Sequence, residues 1–434
     1  MTKRLRIDGE RLVRRIAEFA TIGGTAAGGV NRQAFSMEDR EARGKLADLA
    51  LSRGLKVTQD QAANLFIAFP GREHEKPVLI GSHLDSQPSG GRFDGALGSL
   101  AAFEVIETIA DAGLDYSLPI ELVIWSNEEG SRYAPGTMGS RAFADGSLPK
   151  DIETLKDGEG KPLSSEIAAT LAALPEVSVV GLGKPIAAYL ELHIEQGPIL
   201  EAENVEIGAV SSIQGTRWFD VRIQGETGHA GTTPLTSRRD ALATLIQSLA
   251  ELQATIMPRD ADARFTVGRI AVEPASINAI PAVATANIDI RHPSTEYLDT
   301  IEELLQSTLN KYARSNGCTA HLDRIFDMPP AEFDPEIVSC IEEAAIELGF
   351  SVKRMVSGAF HDALSVQPLA PSAMIFVPCR NGISHNEKEF VEPVNCVAGA
   401  ATLLQSTLNA ITKIARLHET EVQTGNQKKM GTAL

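Results

Sequence analysis

Hydrophobic and polar residues follow one pattern up to about residue 212 and a different pattern after it. In the first stretch, continuous apolar runs such as NLFIAF (64–69), PVLIGS (77–82) and LPIELVIWS (118–126) alternate with amphipathic patterns, for example over 95–113. Continuous apolar runs are typical of strands that are buried on both faces, and the patterns between them predict helices. This alternation predicts an α/β layer with a largely parallel sheet.

The second pattern is typical of strands with one solvated face. Apolar and polar residues alternate in four segments: TRWFDVRIQG (216–225), FTVGRIAV (265–272), AVATANIDIR (282–291) and TAHLDRIF (319–326). Amphipathic patterns over 238–256 and about 295–315 predict two helices. The order strand–helix–strand–strand–helix–strand predicts a four-stranded antiparallel sheet with helices on one face. We therefore predict a domain of residues 213–328 inserted into a domain of residues 1–212 and 329–434.

Length and composition are those of a globular protein. The 434 residues are too many for one compact core, and the hydrophobic fraction of 43% is ordinary. The net charge of −17 argues against nucleic acid and anionic membranes as partners, although a local arginine can still bind a small anionic substrate. No run is long enough for a transmembrane helix, the start lacks the apolar centre of a signal peptide, and the four cysteines match no C-x-x-C pattern. We expect a reduced, cytoplasmic chain without thiolate metal sites.

Side chains of the types that bind metals follow several predicted strands. In chain order they are His83, Asp94, Glu128, Glu129, His193 and His385. Asp94 stands in a Gly-rich loop that lets the backbone fold close to a metal. In open α/β sheets, ligands bind at the carboxyl ends of the strands, so we expect these side chains to meet at one edge of the sheet.

Three histidines and several carboxylates without cysteine suit Zn²⁺, Mn²⁺, Co²⁺ or Ni²⁺, among which the sequence does not choose. The set is too large for one catalytic ion, which favours two ions that share a bridging carboxylate, ~3.5–4 Å apart. Such a pair lowers the pKa of the water between the ions, so that hydroxide is available near neutral pH. A glutamate that is not a ligand can then take the proton and pass it to the leaving amine.

Each of these residues also has an ordinary interpretation. A lone histidine at a strand end is usually structural, and a Glu-Glu pair is usually a solvated turn. The Gly-rich loop is consistent with a simple turn or a phosphate-binding loop, but it lacks the G-x-G-x-x-G and Walker patterns. Their occurrence together at successive strand ends favours the metal site.

Five motifs occur in order within residues 8–412: GSHLDSQPSGGRFDGALG, WSNEEGSRY, ELHIEQGPIL, GHAGTTPLTSRRDAL and GISHNEKE. They resemble the hydantoinase/carbamoylase-type amidases, a family of N-carbamoyl-L-amino-acid hydrolases, allantoate amidohydrolases and β-ureidopropionases within the wider class of dinuclear aminoacylases and dipeptidases. The resemblance implies two divalent metal ions per subunit and an inserted lid domain that also forms a homodimer. It also implies a small substrate that carries an amide or ureide and a carboxylate.

The resemblance assigns roles to the residues at the strand ends. It implies five metal ligands: His83, Asp94, Glu129, His193 and His385. His83 and His193 would bind separate ions, with Asp94 as the bridge between them. Glu128 would be the general base, and Asp85 would orient His83 through its second ring nitrogen.

The same resemblance implies residues that contact the substrate. Gln196 would line the pocket, and Asn278 and Arg291 would hold the substrate carboxylate, to which the planar fork of arginine is suited. Arg217 matches a further substrate-contacting position. His229, in GHAGTTP, would reach into the site of the partner subunit and stabilise the developing oxyanion. The ordinary interpretation of His229 is a loop histidine at a strand end, and that of Arg291 is a surface arginine.

Two positions depart from the family pattern. Thr216 stands where the family commonly has Gln, and Phe360, in SGAFHDA (357–363), stands where Gly is more common. Both positions lie near the substrate in the family, so we take Phe360 and the adjacent His361 as candidate substrate contacts. A ring of Phe360 that faces the pocket predicts poor turnover of allantoate and a preference for apolar or aromatic groups, whereas the alternative is a ring in the core.

The favoured reaction is hydrolysis of the C–N amide bond of an N-carbamoyl, or related N-acyl, L-amino acid by a hydroxide that bridges two metal ions. A carbamoyl substrate would give the amino acid, CO₂ and ammonia. The alternatives are an allantoate amidohydrolase, another N-acyl-amino-acid amidase or dipeptidase, and a metal-stabilised binding protein without catalysis. Glu128 argues against the last of these, because a binding protein needs no unliganded base.

Overall fold

The computed structural model describes residues 5–72, 75–114 and 116–431, with side chains up to residue 416. The strands in this part of the chain are β1 Lys56–Asp60, β2 Leu65–Ala68, β3 Val78–His83, β4 Ile120–Trp125, β5 Ser178–Val180, β6 Ala188–Ile194, β7 Ile207–Ile213, β8 Gly215–Gln224, β9 Gly228–His229, β10 Arg264–Glu273, β11 Ala279–Ile280, β12 Val283–His292, β13 Thr319–Met328, β14 Ala331–Glu332, β15 Val352–Ser357 and β16 Ser372–Val377. The α-helices are α1 Gly9–Phe19, α2 Met37–Ser52, α3 Ala96–Ala112, α4 Met138–Asp145, α5 Leu163–Ala172, α6 Ile199–Glu203, α7 Ala241–Ile256, α8 Thr295–Ser315, α9 Pro335–Leu348, α10 Asp362–Val366 and α11 Pro393–Gly431.

The chain divides into two compact units. The first unit is discontinuous and comprises Met1–Ser211 and Phe333–Leu434, and the second comprises Ser212–Glu332. Within the described residues, no helix combines the length and the apolar character that a membrane crossing requires.

The sheet of the first unit has a parallel centre. Its strands follow the order β7-β16-β6-β3-β4-β2-β1-β5, and β15 also pairs with β7. The four neighbours β16, β6, β3 and β4 run parallel, whereas β7 and β2 join them antiparallel. Every residue of these four parallel strands is buried, which is why their sequences are continuous apolar runs. The predicted α/β layer with a mainly parallel sheet is confirmed.

Several helices of the first unit begin at side chains that accept hydrogen bonds from the free backbone N–H groups of the first turn. Asp8 caps α1 by accepting from Arg11 N, and Ser36 caps α2 by accepting from Asp39 N. Helix α3 is buried along most of its length and packs against β3, β6 and α11. It thereby covers the strands whose ends carry the candidate ligands.

The second unit contains the predicted four-stranded antiparallel sheet. Its order is β10-β12-β8-β13, and every pair in it is antiparallel. Alternate residues of β12 are buried, and they form one core with α7 and α8 on a single face of the sheet. A separate two-stranded ladder joins β11 to β9.

Candidate active site

Four parallel strands of the first unit deliver polar side chains to the same edge of the sheet. His83 ends β3, and His193 is the last residue but one of β6. Glu128 and Glu129 lie in the turn after β4, and His385 lies in the loop after β16. Because parallel neighbours end on the same side, these side chains collect around the Gly-rich loop that follows β3.

The first group of potential ligand atoms belongs to His83, Asp94 and His193, and these atoms lie within 4.8 Å of one another. Asp94 Oδ1 is 3.1 Å from His193 Nε2 and 3.6 Å from His83 Nε2. This geometry corrects the expectation that the two histidines bind separate ions. Their strands β3 and β6 are adjacent and parallel, so both imidazoles converge on the same point.

The second group belongs to Asp94, Glu129 and His385. His385 Nε2 lies 3.5 Å from Asp94 Oδ2 and 3.4 Å from Glu129 Oε2. Asp94 therefore presents one carboxylate oxygen to each group, which is the arrangement that a bridging ligand requires. The side chain of His385 is 50% exposed, so the second group is open to solvent, whereas the first is buried.

Asp94 is held in place by Glu389, which was not among the predicted site residues. Glu389 Oε1 accepts hydrogen bonds from the backbone N–H groups of Phe93 at 2.8 Å and of Asp94 at 3.0 Å. A Cβ on Gly91 would lie 2.0 Å from the Glu389 carboxylate, so the glycine leaves the space that this carboxylate fills. Burial raises the pKa of Glu389 to about 8. A sequence signal existed, because Glu389 is the last residue of the GISHNEKE motif.

Gly95 allows helix α3 to begin against the candidate ligands. Its φ of 62° lies in the left-handed region that favours glycine. A Cβ at this position would lie 2.2 Å from the His83 ring. Position 95 therefore requires glycine, both for its backbone conformation and for its closeness to the His83 imidazole.

The carboxylate of Asp85 positions the Glu-Glu turn rather than His83. The ring nitrogen His83 Nδ1 lies 2.9 Å from the backbone oxygen of Asp85 and 3.8 Å from its carboxylate, so the expected contact of Asp85 with the second ring nitrogen is made through the backbone oxygen. The carboxylate instead accepts from the backbone N–H groups of Glu128 at 3.3 Å and Glu129 at 3.1 Å. Burial raises the pKa of Asp85 to about 7. Asn127, with φ 50°, turns the chain so that both glutamates reach the ligand groups.

Glu128 is buried beside the first group without belonging to either group. Its Oε2 atom lies 3.4 Å from His83 Nε2. Burial, together with the charges of Asp362 and Glu129, raises the pKa of Glu128 well above its usual range. Burial and the charge of Asp94 raise the pKa of Glu129 in the same way. Acidic groups are therefore crowded at this edge, and a bound cation would favour their charged carboxylate forms.

The residues present fit divalent metal ions. Among the described residues, His83 Nε2 and Glu129 Oε1 are buried atoms without a hydrogen-bond partner. A buried polar atom left unpaired costs about 1–3 kcal/mol, and coordination to a cation would offset that cost. The donors are imidazole nitrogens and carboxylate oxygens, which suit Zn²⁺, Mn²⁺, Co²⁺ and Ni²⁺.

Two predicted substrate contacts adjoin the ligand groups. Gln196 Nε2 donates to Asp94 Oδ2 at 2.8 Å, while Gln196 Oε1 is buried without a hydrogen-bond partner. The His361 ring is buried against that of His193, with 4.5 Å between ring centroids. Burial lowers the pKa of His361 well below its usual range. Phe360, immediately before His361, is half-buried.

Arg217 and Arg291 lie on opposite faces of the second unit's sheet. Arg291 pairs with Thr216 in the ladder between β12 and β8, so the side chain of the next residue, Arg217, points to the other face. The guanidinium of Arg217 is nearly buried and donates to three carboxylates of the same unit at 2.7–3.1 Å: Asp299, Glu302 and Asp327. The sheet therefore does not bring Arg217 to the face that carries Arg291.

The ladder of β9 and β11 brings the segments of His229 and Asn278 together. Ala230 N donates to the backbone oxygen of Asn278 at 3.0 Å. The exposed ring of His229 accepts at Nδ1 from the backbone N–H groups of Gly231 and Thr232, at 3.1 and 3.2 Å. Because Nδ1 is an acceptor, the neutral ring carries its proton on Nε2, which is then a hydrogen-bond donor.

Comparison with known proteins identifies the family. The family model described as Peptidase family M20/M25/M40 matches residues 79–409. This chain belongs to that family. An M20-family fold with a dimerisation domain agrees with the mainly parallel sheet and the four-stranded antiparallel sheet described above, and the family is metal-dependent. The resemblance seen in the motifs is confirmed.

The M20-family relatives align along most of the chain. An N-carbamoyl-L-amino-acid amidohydrolase of Rhizobium meliloti is 36% identical over 404 residues, which are 93% of this chain and 96% of that protein. An allantoate amidohydrolase of Bacillus subtilis (strain 168) is 32% identical over 397 residues, 88% of this chain and 93% of that protein. The crystal structure of a hydantoinase/carbamoylase family amidase from Burkholderia multivorans has 40% identity and a TM-score of 0.87, covering 94% of this chain and 98% of that one.

Proposed function

We propose that this chain is a metal-dependent amidohydrolase that cleaves the C–N amide bond of an N-carbamoyl, or related N-acyl, L-amino acid. The observation that carries the proposal is the pair of ligand groups that share Asp94, with Glu128 beside them. The proposal is supported by the alignment of 93% of the chain with an N-carbamoyl-L-amino-acid amidohydrolase. A carbamoyl substrate would give the amino acid, CO₂ and ammonia.

Two divalent ions per subunit, of zinc, manganese, cobalt or nickel, are part of the proposal. One would be held by His83, His193 and Asp94, and the other by Glu129, His385 and Asp94. When bound, such ions polarise a substrate carbonyl and make water more acidic.

Glu128 is proposed as the general base. Its carboxylate belongs to neither ligand group, so it can take a proton from the attacking water and pass the proton to the leaving nitrogen. Asp85 supports this role, because its carboxylate accepts hydrogen bonds from the backbone N–H groups of both Glu128 and Glu129.

A homodimer is also proposed, in which each site uses His229 of the partner subunit. The hydrogen bonds at Nδ1 of His229 support the role of its Nε2–H group as a donor to the developing oxyanion. Arg291 and Asn278 are proposed to hold the substrate carboxylate, while Gln196, Phe360 and His361 line the pocket. Arg217 is left out of this set, because three carboxylates already occupy its donors.

A cytoplasmic location and the absence of nucleic-acid or membrane partners are proposed from composition. The net charge of −17 disfavours binding to polyanions. The four cysteines are free thiols, of which three are buried, as suits a reducing compartment.

Allantoate hydrolysis is the second candidate function, favoured by the 32% identity to an allantoate amidohydrolase. A hydrolysis screen separates the two candidates. Chelator-treated protein is reconstituted with each of the four metals and assayed on N-carbamoyl, N-formyl, N-acetyl and N-aryl-acyl L-amino acids and on allantoate. We expect the highest kcat/KM for an N-carbamoyl L-amino acid. A higher value for allantoate would favour the second candidate, and no hydrolysis with any metal would contradict both.

A further inference from the structure

A chain of side-chain contacts on the second unit leads to Arg291. On β12, Asp289 lies two residues before Arg291 and therefore on the same face of the strand. Arg291 Nε donates to Asp289 Oδ1 at 3.1 Å, and Arg291 Nη2 donates to Asp289 Oδ2 at 3.0 Å. The carboxylate thus holds the guanidinium at two points, which fixes the plane of the fork as well as its position.

Asp289 is itself held from the neighbouring strand. Trp218 lies directly opposite Asp289 in the ladder between β8 and β12, and its indole Nε1 donates to Asp289 Oδ2 at 3.1 Å. The indole stacks on Phe326 of β13, with 4.5 Å between ring centroids and 28° between the planes. Phe326 pairs with Trp218 in the ladder between β13 and β8. Contacts on one face therefore run across three strands and end at Arg291.

We propose that Asp289, held by Trp218, is a positioning residue that orients Arg291 toward the carboxylate of the substrate. The inference rests on the proposed function, in which Arg291 binds that carboxylate. An arginine side chain loses rotamer entropy when it is held in one orientation, and an arginine oriented beforehand loses less of it on binding. The N–H donors of a guanidinium group point outward along more than one edge of its plane. The Asp289 carboxylate occupies the edge formed by Nε and Nη2, and it thereby sets the direction in which the remaining donors can bind the substrate carboxylate.

The opposing effect is electrostatic, because the negative charge of Asp289 also repels the substrate carboxylate. The side chain of Asp289 is 28% exposed, so solvent screens part of that repulsion. The hydrogen bonds that fix the fork are short-range and directional, and solvent weakens them less than it weakens the repulsion. We therefore expect orientation to outweigh repulsion.

The test uses Asp289→Asn in the metal-reconstituted full chain, with an N-carbamoyl-L-amino acid and its α-carboxamide as paired substrates. We expect KM for the acid to rise about fivefold or more, with kcat within about twofold, and no change for the carboxamide. Trp218→Phe, which keeps the ring stack and removes the N–H donor, should give a smaller change in the same direction. The control is Asp220→Asn, since Asp220 lies on the same face and accepts from Asn287.

Two results would overturn the inference. An equal rise of KM for acid and carboxamide would mean that Asp289 only stabilises the sheet, and a lower KM for the acid would mean that it competes with the substrate. Arg291→Ala, measured on the same substrates, separates this inference from the proposed function. If only Arg291→Ala is selective for the acid, the role of Asp289 is rejected and the proposed role of Arg291 is kept. If Arg291→Ala is not selective for the acid either, the role of Asp289 and the role of Arg291 in binding the carboxylate are both rejected.

Discussion

Arg291→Ala removes the guanidinium that is proposed to bind the substrate carboxylate. The side chain of Arg291 is 30% exposed, and Asp289 already shares its charge at 3.0 Å. Truncating one partner of a buried, hydrogen-bonded charge pair costs about 2–5 kcal/mol. Exposure and the existing ion pair put Arg291 at the lower end of that range, about 2 kcal/mol. At about 1.36 kcal/mol for each factor of ten, kcat/KM should fall about 30-fold.

The assay compares kcat/KM for an N-carbamoyl-L-amino acid and for its α-carboxamide. The carboxamide should be a poor substrate of the wild-type chain, and Arg291→Ala should leave its rate almost unchanged. Arg291→Lys should recover part of the loss on the acid, because it restores the charge without the planar fork. Arg264→Ala is a matched control, since Arg264 pairs with Arg291 in the β10–β12 ladder and donates to backbone oxygens. Equal wild-type rates on the acid and the carboxamide would refute the proposed binding of the substrate carboxylate by Arg291.

Three further predictions concern the metals, the dimer and the pocket. Chelation should abolish hydrolysis, and Mn²⁺, Co²⁺, Ni²⁺ or Zn²⁺ should restore it; normal turnover by a chain verified as metal-free would exclude the mechanism. Mixing inactive His229→Ala chains with inactive Glu128→Gln chains should recover partial activity, whereas no recovery in verified heterodimers would place His229 outside the partner's site. Phe360→Gly should shift the ratio of kcat/KM values toward allantoate and away from an aromatic N-carbamoyl amino acid, and an unchanged ratio with a lower Tm would assign the ring to the core.

The edge at which the candidate ligands meet was predictable from the sequence. Continuous apolar runs show where buried strands end, and the run predicted over 77–82 corresponds to β3, Val78–His83. The grouping of the ligands was not predictable in the same way. His83 and His193 share one group because β3 and β6 are neighbours, although two strands and three helices separate them along the chain. Strand order depends on long-range packing, which local periodicity does not encode.

The sequence pattern also did not predict which contacts are made by backbone atoms rather than by side chains. Asp85 was expected to contact the second ring nitrogen of His83, and it does so through its backbone oxygen. The carboxylate is turned toward the amides of the Glu128-Glu129 turn. Spacing along the chain indicates which residues are close, but not which of their atoms face each other.

In the second unit, the alternation of apolar and polar residues predicted the four long strands and both helices in their observed order. The ladder that joins the segments of His229 and Asn278 was missed, because strands of two residues are too short to show a period. The same alternation also indicates on which face of β8 the side chain of Arg217 lies. Positions 217, 219, 221 and 223 share the face that packs against the helices, so Arg217 belongs with the core-facing residues.

Glu128→Gln tests whether this chain is a metal-dependent amidohydrolase with Glu128 as its base. The glutamine keeps the shape of the side chain, and the ligand groups around Asp94 do not include position 128. Metal content and hydrolysis of an N-carbamoyl-L-amino acid are measured together for variant and wild type. We expect two equivalents of metal per chain in both proteins and a loss of most of the activity in the variant. Wild-type turnover by a metal-loaded Glu128→Gln chain would contradict this expectation.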